Sequence, residues 1–376
     1  MQTFPLTYNF NIDKMNPIIQ FIFSYPYLVG LISMLLGWAF MPIVLQIAHK
    51  KGFVVKPNKR TSHTGEIPNI GGIDIFASFM LTYIIFEYQR LPQSQFIFAG
   101  AFIIVMVGFV DDILDITPIQ KTLGELLAGI ALVCFGNIRI TNLFGLFGIT
   151  IIPTWASYAL SIFVLIAIVN ALNLIDGVDG LASGLGILFC AFFSVYFQLT
   201  GEIHWAIIGY TLIGSLAVFF FFNVFGKKQK IFMGDTGSLL LGYILSAFVF
   251  HFCEINAYHV VDEHYVCYAA PMICICVLSI PLFDTIRVMF TRIKNHRSPF
   301  SPDKNHIHHL LLRGGLTHLQ TTMTILSLTI VFIALAIIGR NWNNWILFFT
   351  DFALCMCFTW VIWRLVDKNS NQTKKQ

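Results

Sequence analysis

Two adjacent aspartates, Asp111 and Asp112, lie where an apolar run ends in the segment GFVDDILDI. Carboxylates are costly near hydrocarbon, and neighbouring ones repel each other, so the pair requires a proton or a cation. A metal ion or a role as catalytic base would meet this requirement, whereas two solvated acids at a helix end are the plain alternative. Lys121 follows and brings a positive charge near the acids, although by itself it is explained as a topology anchor.

A second set of polar side chains recurs every three residues in the segment NALNLIDGVDGLASG. If the segment is helical, these side chains form one stripe on an otherwise apolar surface. They are Asn170, Asn173, Asp176 and Asp179. Magnesium prefers a few such oxygens, completed by water and substrate phosphate. A helix end with turn residues would explain the glycines of the segment but not its four polar groups, so we predict a cation-binding face.

The segment IFMGDTGSLLLGY places Asp235 in a turn of small residues that opens the next apolar run. Free backbone N–H groups at such a helix start favour phosphate. A positive-inside loop accounts for the three lysines before the turn, so no specific role is assigned to them. They are Lys227, Lys228 and Lys230.

A polar segment of 28 residues, 291–318, is the fourth candidate. Its histidines and basic residues are His296, His306, His308, His309 and His318, with Arg292, Arg297, Lys304 and Arg313. Zinc is the minority interpretation, because no cysteine accompanies the histidines. Imidazole and guanidinium groups beside magnesium-binding acids suit a diphosphate better. Just before this segment, Asp284 is expected to pair structurally with Arg287.

These four segments are chemically compatible with one another. The acids would hold magnesium, the basic side chains would neutralise a diphosphate, and apolar spans would accommodate a lipid tail. This combination suits phosphoryl transfer.

Membrane spans are the elements that must position these residues. Of the 376 residues, 57% are hydrophobic and 11% are charged, and the mean hydropathy is +0.75. A soluble chain carries roughly a quarter charged residues. The net charge of +4 is too small to suggest nucleic acid as a partner. The eight cysteines contain no CxxC pair and are expected to pack as apolar groups.

Eleven apolar runs are long enough to cross a hydrocarbon core of about 30 Å, the fourth being short. They lie at about 26–48, 71–89, 94–110, 122–137, 156–175, 181–200, 205–225, 239–257, 266–290, 319–340 and 345–365. With the N-terminus outside and the C-terminus in the cytoplasm, 19 of the 23 Lys and Arg residues fall in inside loops. We therefore predict an all-α polytopic membrane protein whose candidate motifs face the cytoplasm.

The chain is expected to form a single membrane domain, 1–366, followed by a disordered polar tail, 367–376. The first 25 residues do not have the pattern of a cleaved signal peptide, so none is expected and the first span is expected to direct insertion. The segment from about 136 to 153 is Gly-rich and β-branched, which is compatible with a small hairpin outside the membrane.

The chain resembles the polyprenyl-phosphate N-acetylhexosamine-1-phosphate transferases of the bacterial inner membrane, from about residue 56 to 318. The resemblance rests on five motifs in the family's order: PNKRTSHTGEIPNIGGI, GFVDDILDI, NALNLIDGVDGLASG, IFMGDTGSLLLGY and SPFSPDKNHIHHL. It implies transfer of a sugar 1-phosphate from a UDP-sugar to undecaprenyl phosphate, with release of UMP. Mg²⁺, or Mn²⁺ in its place, is the implied cofactor.

The resemblance also implies roles for single residues. Asp111 or Asp112 would deprotonate or position the polyprenyl phosphate, which attacks the β-phosphorus of the donor. Asp235 and Asn173 would hold the metal. Lys121 would contact phosphate, and Phe232 would stack on uracil. Asp176 and Asp179 would bind the nucleotide or position the metal, and both are counted among the catalytic residues. The diphosphate would be contacted by Arg292, His306, His308 and His309, of which His306 is counted as catalytic. Which acid is the base, and whether a covalent intermediate forms, stays open at this level.

Details of the last motif are similar to the WecA type of the family, which uses UDP-GlcNAc, whereas the MurNAc-pentapeptide branch has a different histidine pattern. GalNAc and MurNAc-pentapeptide remain open as donor groups, as does the glycan pathway. Val55 stands where related sequences carry an acid, which puts any role of that carboxylate in doubt, while Asn58, Arg60 and His63 fit the pattern. A homodimer is expected by family analogy only.

A proton-coupled transporter is the alternative from a different class, because such carriers also combine many spans with acids and histidines. The candidate residues gather in loops rather than at mid-membrane, however, and two matching halves with broken helices are not visible in the sequence. The transferase is therefore the favoured hypothesis.

Overall fold

The computed structural model describes residues 21, 24–55, 66–87, 91, 93–258, 260–298 and 305–373. Residues 57–65 of the first motif and 299–304 of the last lie outside this part of the chain. The pattern at Asn58, Arg60 and His63 therefore stays a prediction.

Helices make up most of the described chain. In chain order they are α1 (Tyr27–Lys51), α2 (Gly71–Glu87), α3 (Ser94–Leu114), α4 (Pro118–Ile130), α5 (Thr154–Ile175), α6 (Leu181–Leu199), α7 (Ile203–Phe225), α8 (Gly234–Ala257), α9 (Ala270–Val277), α10 (Ser279–Lys294), α11 (Ile307–Arg313), α12 (His318–Ile338) and α13 (Asn344–Thr373). A π-helical segment, Ala131–Phe135, prolongs α4. Helix α13 continues beyond Asp367, where the polar tail was expected to begin.

The all-α polytopic class predicted from the sequence is confirmed. Among the described residues, nine helices are long and apolar enough to cross a membrane, and the bent pair α9–α10 would be a tenth. Helix α2 is shorter, and its apolar part covers Gly71–Phe86. Each predicted apolar run has a helix at its position. The number of crossings and the orientation remain predictions.

A bend of 78° separates α9 from α10. Pro281 lies in the first turn of α10 and has no N–H to donate to the carbonyl of Val277, so a continuous helix is disfavoured there. The hydroxyl of Ser279 donates to Asp351 of α13 over 2.6 Å. The apolar run expected at 266–290 as one span is therefore two helices that meet at an angle.

The described chain also contains short antiparallel strand pairs. Strand β1 (Val54–Val55) pairs with β2 (Ile67–Pro68), and β3 (Asn142–Leu146) pairs with β4 (Ile149–Ile151). The second pair confirms the hairpin expected between about 136 and 153. Glu254 of α8 accepts hydrogen bonds from the backbone N–H of Thr141 at 2.8 Å and from its hydroxyl at 3.0 Å, which joins the hairpin to the helical bundle.

Helix α8 lies at the centre of the bundle, and 89% of the residues in its apolar stretch are buried. Its first turn is in backbone contact with two neighbouring helices. A Cβ atom on Gly108 of α3 would lie 2.6 Å from the backbone nitrogen of Thr236, and one on Gly72 of α2 would overlap the backbone of Gly237. Small residues allow this approach between membrane helices. The turn that carries Asp235 is therefore tightly enclosed.

Candidate active site

Asp112 caps the N-terminus of α8. Its carboxylate accepts hydrogen bonds from the backbone N–H groups of Asp235 at 2.7 Å and Thr236 at 3.0 Å, and from the Thr236 hydroxyl at 2.6 Å. The side-chain amide of Asn69 donates a fourth, at 3.1 Å. The first N–H groups of a helix have no partner within it, and the helix dipole favours an acid near them. Asp112 is therefore bound to the protein itself and positions Asp235.

Gly234 makes this cap possible. Its φ is +69°, a conformation that favours glycine, and a Cβ atom there would lie 2.5 Å from a carboxylate oxygen of Asp112. The sequence predicted that the N–H groups of this turn favour a phosphate. That prediction is wrong for the N–H groups of Asp235 and Thr236, because the Asp112 carboxylate already occupies them.

Three side-chain oxygens converge on the ammonium group of Lys121. Asp111 Oδ2 and Asn173 Oδ1 each lie 3.2 Å from Lys121 Nζ. Asp235 Oδ2 forms a short ion pair with the same nitrogen. Asp111, Asn173 and Asp235, which we call the oxygen cage, lie at the ends of α3, α5 and α8. The structure thus brings together four residues from separate sequence motifs.

Local structure fixes the members of the cage. The side-chain amide of Asn173 donates to Asp235 Oδ1 at 2.9 Å and to the hydroxyl of Ser238 at 3.0 Å, so its oxygen faces Lys121. Lys121 lies in the first turn of α4, which Thr117 and Gln120 close with a capping box. Such a box fixes the start of a helix, and here it fixes the turn that carries the lysine.

The polar stripe predicted along one helix is wrong in its second half. Helix α5 ends at Ile175, and Gly180 has a φ of +73° in the segment that follows. Glycine is unfavourable in a helix interior, and the sequence places two in this stretch. Asp176 and Asp179 therefore lie in the loop between α5 and α6, while Asn173 in the last turn of α5 reaches the cage.

Asp179 is tied to two other parts of the chain. Lys230 Nζ donates to its Oδ2 at 2.7 Å, and His318 Nδ1 lies 3.1 Å from the same oxygen. Burial raises the pKa of Asp179, but the interactions with His318 and Lys230 outweigh burial and leave the pKa below its ordinary value. The backbone carbonyl of Asp179 accepts a hydrogen bond from Thr322 of α12 at 2.7 Å. Asp179 is therefore ionised and held in place.

Asp176 has the opposite electrostatic setting. Burial, followed by the negative charges of Asp235, Asp112 and Asp179, raises the pKa of Asp176 to about 7. Near neutral pH it therefore holds a proton for part of the time. A cation brought into this region would favour the ionised form of Asp176.

His306 is anchored away from solvent by Asp284. His306 Nδ1 lies 2.9 Å from Asp284 Oδ2, and Arg287 donates to Asp284 Oδ1 at 2.7 Å. The structural pair expected between Asp284 and Arg287 is thus present. The backbone N–H of Ile307 also donates to Asp284, at 3.0 Å. Through these contacts, His306 positions the start of α11, which carries His308 and His309.

His308 lies against the loop that carries Asp176. Its side chain is 1% exposed, and a Cβ atom on Gly177 would lie 2.6 Å from its Nε2. Burial, and then the neighbouring charge of His309, lowers the pKa of His308 to about 3. His308 is therefore neutral at physiological pH. Its buried Nδ1 atom has no hydrogen-bond partner within the described part of the chain. The His309 ring centroid is 4.2 Å from that of His308.

Phe232 is held by its backbone beside the start of α2. Its N–H donates to the carbonyl of Pro68 at 2.8 Å, and its carbonyl accepts from Gly71 at 2.9 Å. The ammonium group of Lys230 lies 5.7 Å from the centre of its ring. Arg292 is buried in the last turn of α10, two helical turns after Asp284.

Buried acids in α2 and α4 were not predicted from the sequence. Glu125 is one turn after Lys121 and fully buried, and it accepts a hydrogen bond from Asn170 at 2.7 Å. Its other oxygen has no partner among the described residues. Asp74, in the first turn of α2, is also fully buried. A single acid inside an apolar run is the signal that identifies such residues. Asn69 and Thr236, which fix Asp112, carry no comparable signal.

The oxygen cage has the donor chemistry of a magnesium site. Two carboxylates and one amide oxygen already converge on a single positively charged group. Magnesium binds a few protein oxygens and completes its shell with water and phosphate. No group of three or more His, Cys, Asp or Glu side chains in the described part of the chain is arranged to hold a metal. The zinc interpretation of the histidine segment therefore has no support there, and the amide-containing cage is the better candidate.

Comparison with known proteins adds a second line of argument. The family model described as glycosyl transferase family 4 matches residues 94–252, which include the whole cage. The undecaprenyl-phosphate alpha-N-acetylglucosaminyl 1-phosphate transferase of Escherichia coli O157:H7 is 28% identical, over 89% of this chain and 92% of that protein. The protein of the same name from Yersinia pestis is 29% identical, over 91% and 94%. A Bacillus subtilis (strain 168) protein named "Probable undecaprenyl-phosphate N-acetylglucosaminyl 1-phosphate transferase" is 31% identical, over 86% and 87%.

Proposed function

We infer that this chain, which belongs to glycosyl transferase family 4, transfers N-acetylglucosamine 1-phosphate from UDP-GlcNAc to undecaprenyl phosphate. The products are undecaprenyl-diphosphate-GlcNAc and UMP, and the reaction would be the first membrane step of a cell-surface glycan pathway. The observation that carries the inference is the oxygen cage, which gathers hard ligands from three helix ends beside a lysine. The names of the relatives supply the donor and the acceptor.

The protein is a multi-pass membrane protein, and we propose the bacterial inner membrane as its location, with the site facing the cytoplasm. The asymmetry of basic residues supports this orientation. The ends of α3, α5 and α8 that build the cage would then lie at the cytoplasmic surface, where a water-soluble UDP-sugar and a lipid phosphate can meet.

Mg²⁺ is the proposed cofactor, with Mn²⁺ as a substitute, and Asp235 and Asn173 would hold it, which leaves Asp111 beside them as the base. Bound there, the ion would neutralise charge on the diphosphate and polarise its oxygens. The ion would displace the ammonium group of Lys121 from these oxygens, and Lys121 would then provide a second positive charge beside them. The carboxylates of the cage would otherwise repel the substrate, because the phosphates carry negative charge as well.

The chemical step exchanges one P–O bond for another. An oxygen of the acceptor phosphate attacks the β-phosphorus of the donor. The bond from that phosphorus to the bridging oxygen breaks, and its electron pair leaves with UMP. A proton on the acceptor phosphate passes to Asp111. Asp112 is unsuited to this role, because its carboxylate is bonded to the first N–H groups of α8.

The other predicted residues have supporting roles in this proposal. Phe232 and Asp179 would bind the nucleotide, and His308 and His309 would contact the diphosphate. The low pKa of His308 means that it acts as a neutral hydrogen-bond donor and adds no charge. Arg292 of α10 and His306, which immediately precedes α11, would support the residues around His308.

Turnover of purified protein tests the proposal. The full chain in detergent is incubated with UDP-GlcNAc, undecaprenyl phosphate and Mg²⁺, and UMP and the lipid-linked sugar are measured. We expect both products in equal amounts and none without the lipid. Parallel reactions with UDP-GalNAc and UDP-MurNAc-pentapeptide decide the donor. Absence of product with every donor would refute the transferase and favour the transporter hypothesis. Light scattering on the same sample tests the homodimer expected from family analogy.

A further inference from the structure

Three lysines of one loop have different surroundings. Lys227 and Lys228 lie in a short 3-10 helix, and both are exposed. Lys230 is partly buried, and its ammonium group contacts Asp179 at 2.7 Å. A positive-inside loop explains all three equally well from sequence, so the contacts of Lys230 require a further explanation.

The ammonium group of Lys230 connects two separate elements. It donates to Asp179, which lies in the loop between α5 and α6, and it lies 5.7 Å from the ring centre of Phe232, which precedes α8. A cation at this distance from an aromatic ring is attracted to the ring face. Asp179 and Phe232 are the two residues proposed above for nucleotide binding.

The backbones of these two residues are fixed by different partners. Phe232 is bonded to Pro68 and Gly71, whereas the carbonyl of Asp179 accepts from Thr322 of α12. Lys230 contacts the side chains of both residues, and it therefore sets the carboxylate and the ring relative to each other.

We propose that Lys230 is a positioning residue for the nucleotide, holding the Asp179 carboxylate and the Phe232 ring in the arrangement that binds the pyrimidine base. This inference rests on the proposed function, because it takes the nucleotide as the ligand of those two residues. A direct contact of Lys230 with phosphate is disfavoured, since its charge is already matched by Asp179. His318, the first residue of α12, also approaches this carboxylate oxygen and helps Lys230 to hold Asp179.

Loss of Lys230 should weaken binding more than chemistry. The cage residues are contacted by Lys121 and Asp112, and Lys230 is absent from those contacts in the described part of the chain. Without Lys230, the Asp179 carboxylate and the Phe232 ring lose their common partner. The nucleotide should therefore bind more weakly, while the bound substrate reacts at nearly the same rate.

The test compares single variants of the full-length protein in detergent. Lys230→Met and Lys230→Arg are matched with Lys227→Met and Lys228→Met from the same loop. Binding of UMP is measured by calorimetry, and KM and kcat for UDP-GlcNAc are measured separately. For Lys230→Met we expect the Kd of UMP and the KM to rise about tenfold, the order expected for one charge-assisted hydrogen bond, and kcat to change less than about twofold. Lys230→Arg should restore most of the affinity, and the two control variants should equal the wild type.

Failure of this inference can be separated from failure of the proposed function. If the wild type turns over UDP-GlcNAc and Lys230→Met binds UMP as tightly as Lys227→Met, Lys230 has no positioning role. The same conclusion follows if kcat falls while the Kd of UMP is unchanged. If the wild type neither binds UMP nor turns over any UDP-N-acetylhexosamine, the proposed function itself is wrong. Should Lys230→Met fail to fold, Lys230→Arg and Lys230→Gln give the same comparison, and equal UMP affinity in these two would refute the inference.

Discussion

The two adjacent aspartates should respond very differently to the same substitution. We predict that Asp112→Asn destabilises the protein, whereas Asp111→Asn leaves the fold intact and stops turnover. The Asp112 carboxylate accepts four hydrogen bonds, two of them from backbone N–H groups of α8. An asparagine has one acceptor oxygen, so its amide group must face a backbone N–H group of α8 in either orientation.

The expected magnitude follows from these contacts. A buried donor left without a partner costs about 1–3 kcal/mol. Loss of a negative charge at a helix N-terminus costs about 0.3–2 kcal/mol more. Asp112→Asn should therefore lower the free energy of unfolding by about 1.3–5 kcal/mol. Asp111 accepts a hydrogen bond from the N–H of Ile116 at 2.9 Å, which an asparagine oxygen can retain. Asp111→Asn also removes one of two like charges beside Lys121, so its stability should be within about 1 kcal/mol of the wild type.

Thermal unfolding in detergent, followed by tryptophan fluorescence, measures the difference between the variants. We expect the wild type and Asp111→Asn to unfold at the same midpoint temperature and Asp112→Asn to unfold at a clearly lower one. Turnover should be lost in both, through a missing proton acceptor in one and a displaced Asp235 in the other. Equal destabilisation of both variants, or a fully stable and active Asp112→Asn, would refute the assignment of Asp112 as a cap.

Further predictions concern the cage and its neighbours. Asp235→Asn should abolish turnover while membrane insertion and yield stay normal, because the cage loses a charged oxygen; wild-type activity in this variant would exclude Asp235 as a metal ligand. Lys121→Met should also stop turnover but should tighten Mn²⁺ binding measured by electron paramagnetic resonance, because the ion no longer competes with an ammonium group. Weaker Mn²⁺ binding would contradict the cage. Without a divalent ion, stability should fall as pH rises from about 4 to about 7 and then level off, since over that range folded Asp176 still holds a proton that the unfolded chain, with the ordinary pKa of 3.8, has already lost. Thermal stabilisation by Mg²⁺ should accordingly grow from about pH 6 to about pH 8, and Asp176→Asn should remove that growth.

Much of the fold could be predicted because membrane helices must satisfy their own backbone hydrogen bonds, so a long apolar run has few alternatives. The exception is the bend between α9 and α10. Pro281 is visible in the sequence, but proline is also tolerated in straight membrane helices. The bend is accompanied by a contact with a helix far along the chain, where Asp351 accepts a hydrogen bond from Ser279.

The sequence predicted which residues belong to the candidate site but not which role each of them has. Successive helix residues point about 100° apart, so Asp111 and Asp112 cannot both face the same group. Which one faces the cage is decided by the packing of α3 against the start of α8, a contact between residues more than a hundred positions apart. The role of Lys230 was hidden for the same reason, because its partners lie in other segments.

The end of α5 shows a different limit. A repeat of three residues predicts a continuous polar stripe, although a helix end with turn residues already explained the glycines of the segment. The helix in fact ends at Ile175, so Asp176 and Asp179 are loop residues with separate partners. The low helix propensity of the glycines ends the helix here, so the three-residue repeat of polar side chains was misleading.

The close packing around the start of α8 has a consequence for engineering a different donor preference. Gly72, Gly108 and Gly234 leave no room for added atoms there, so random substitution in this turn should yield mostly unfolded variants. In the loop that precedes α8, by contrast, Lys227, Lys228 and Gln229 are exposed and Lys230 and Phe232 are partly exposed, so their side chains can change without filling that packing. A library confined to these five positions would leave the packed turn intact while it samples new sugar or base contacts.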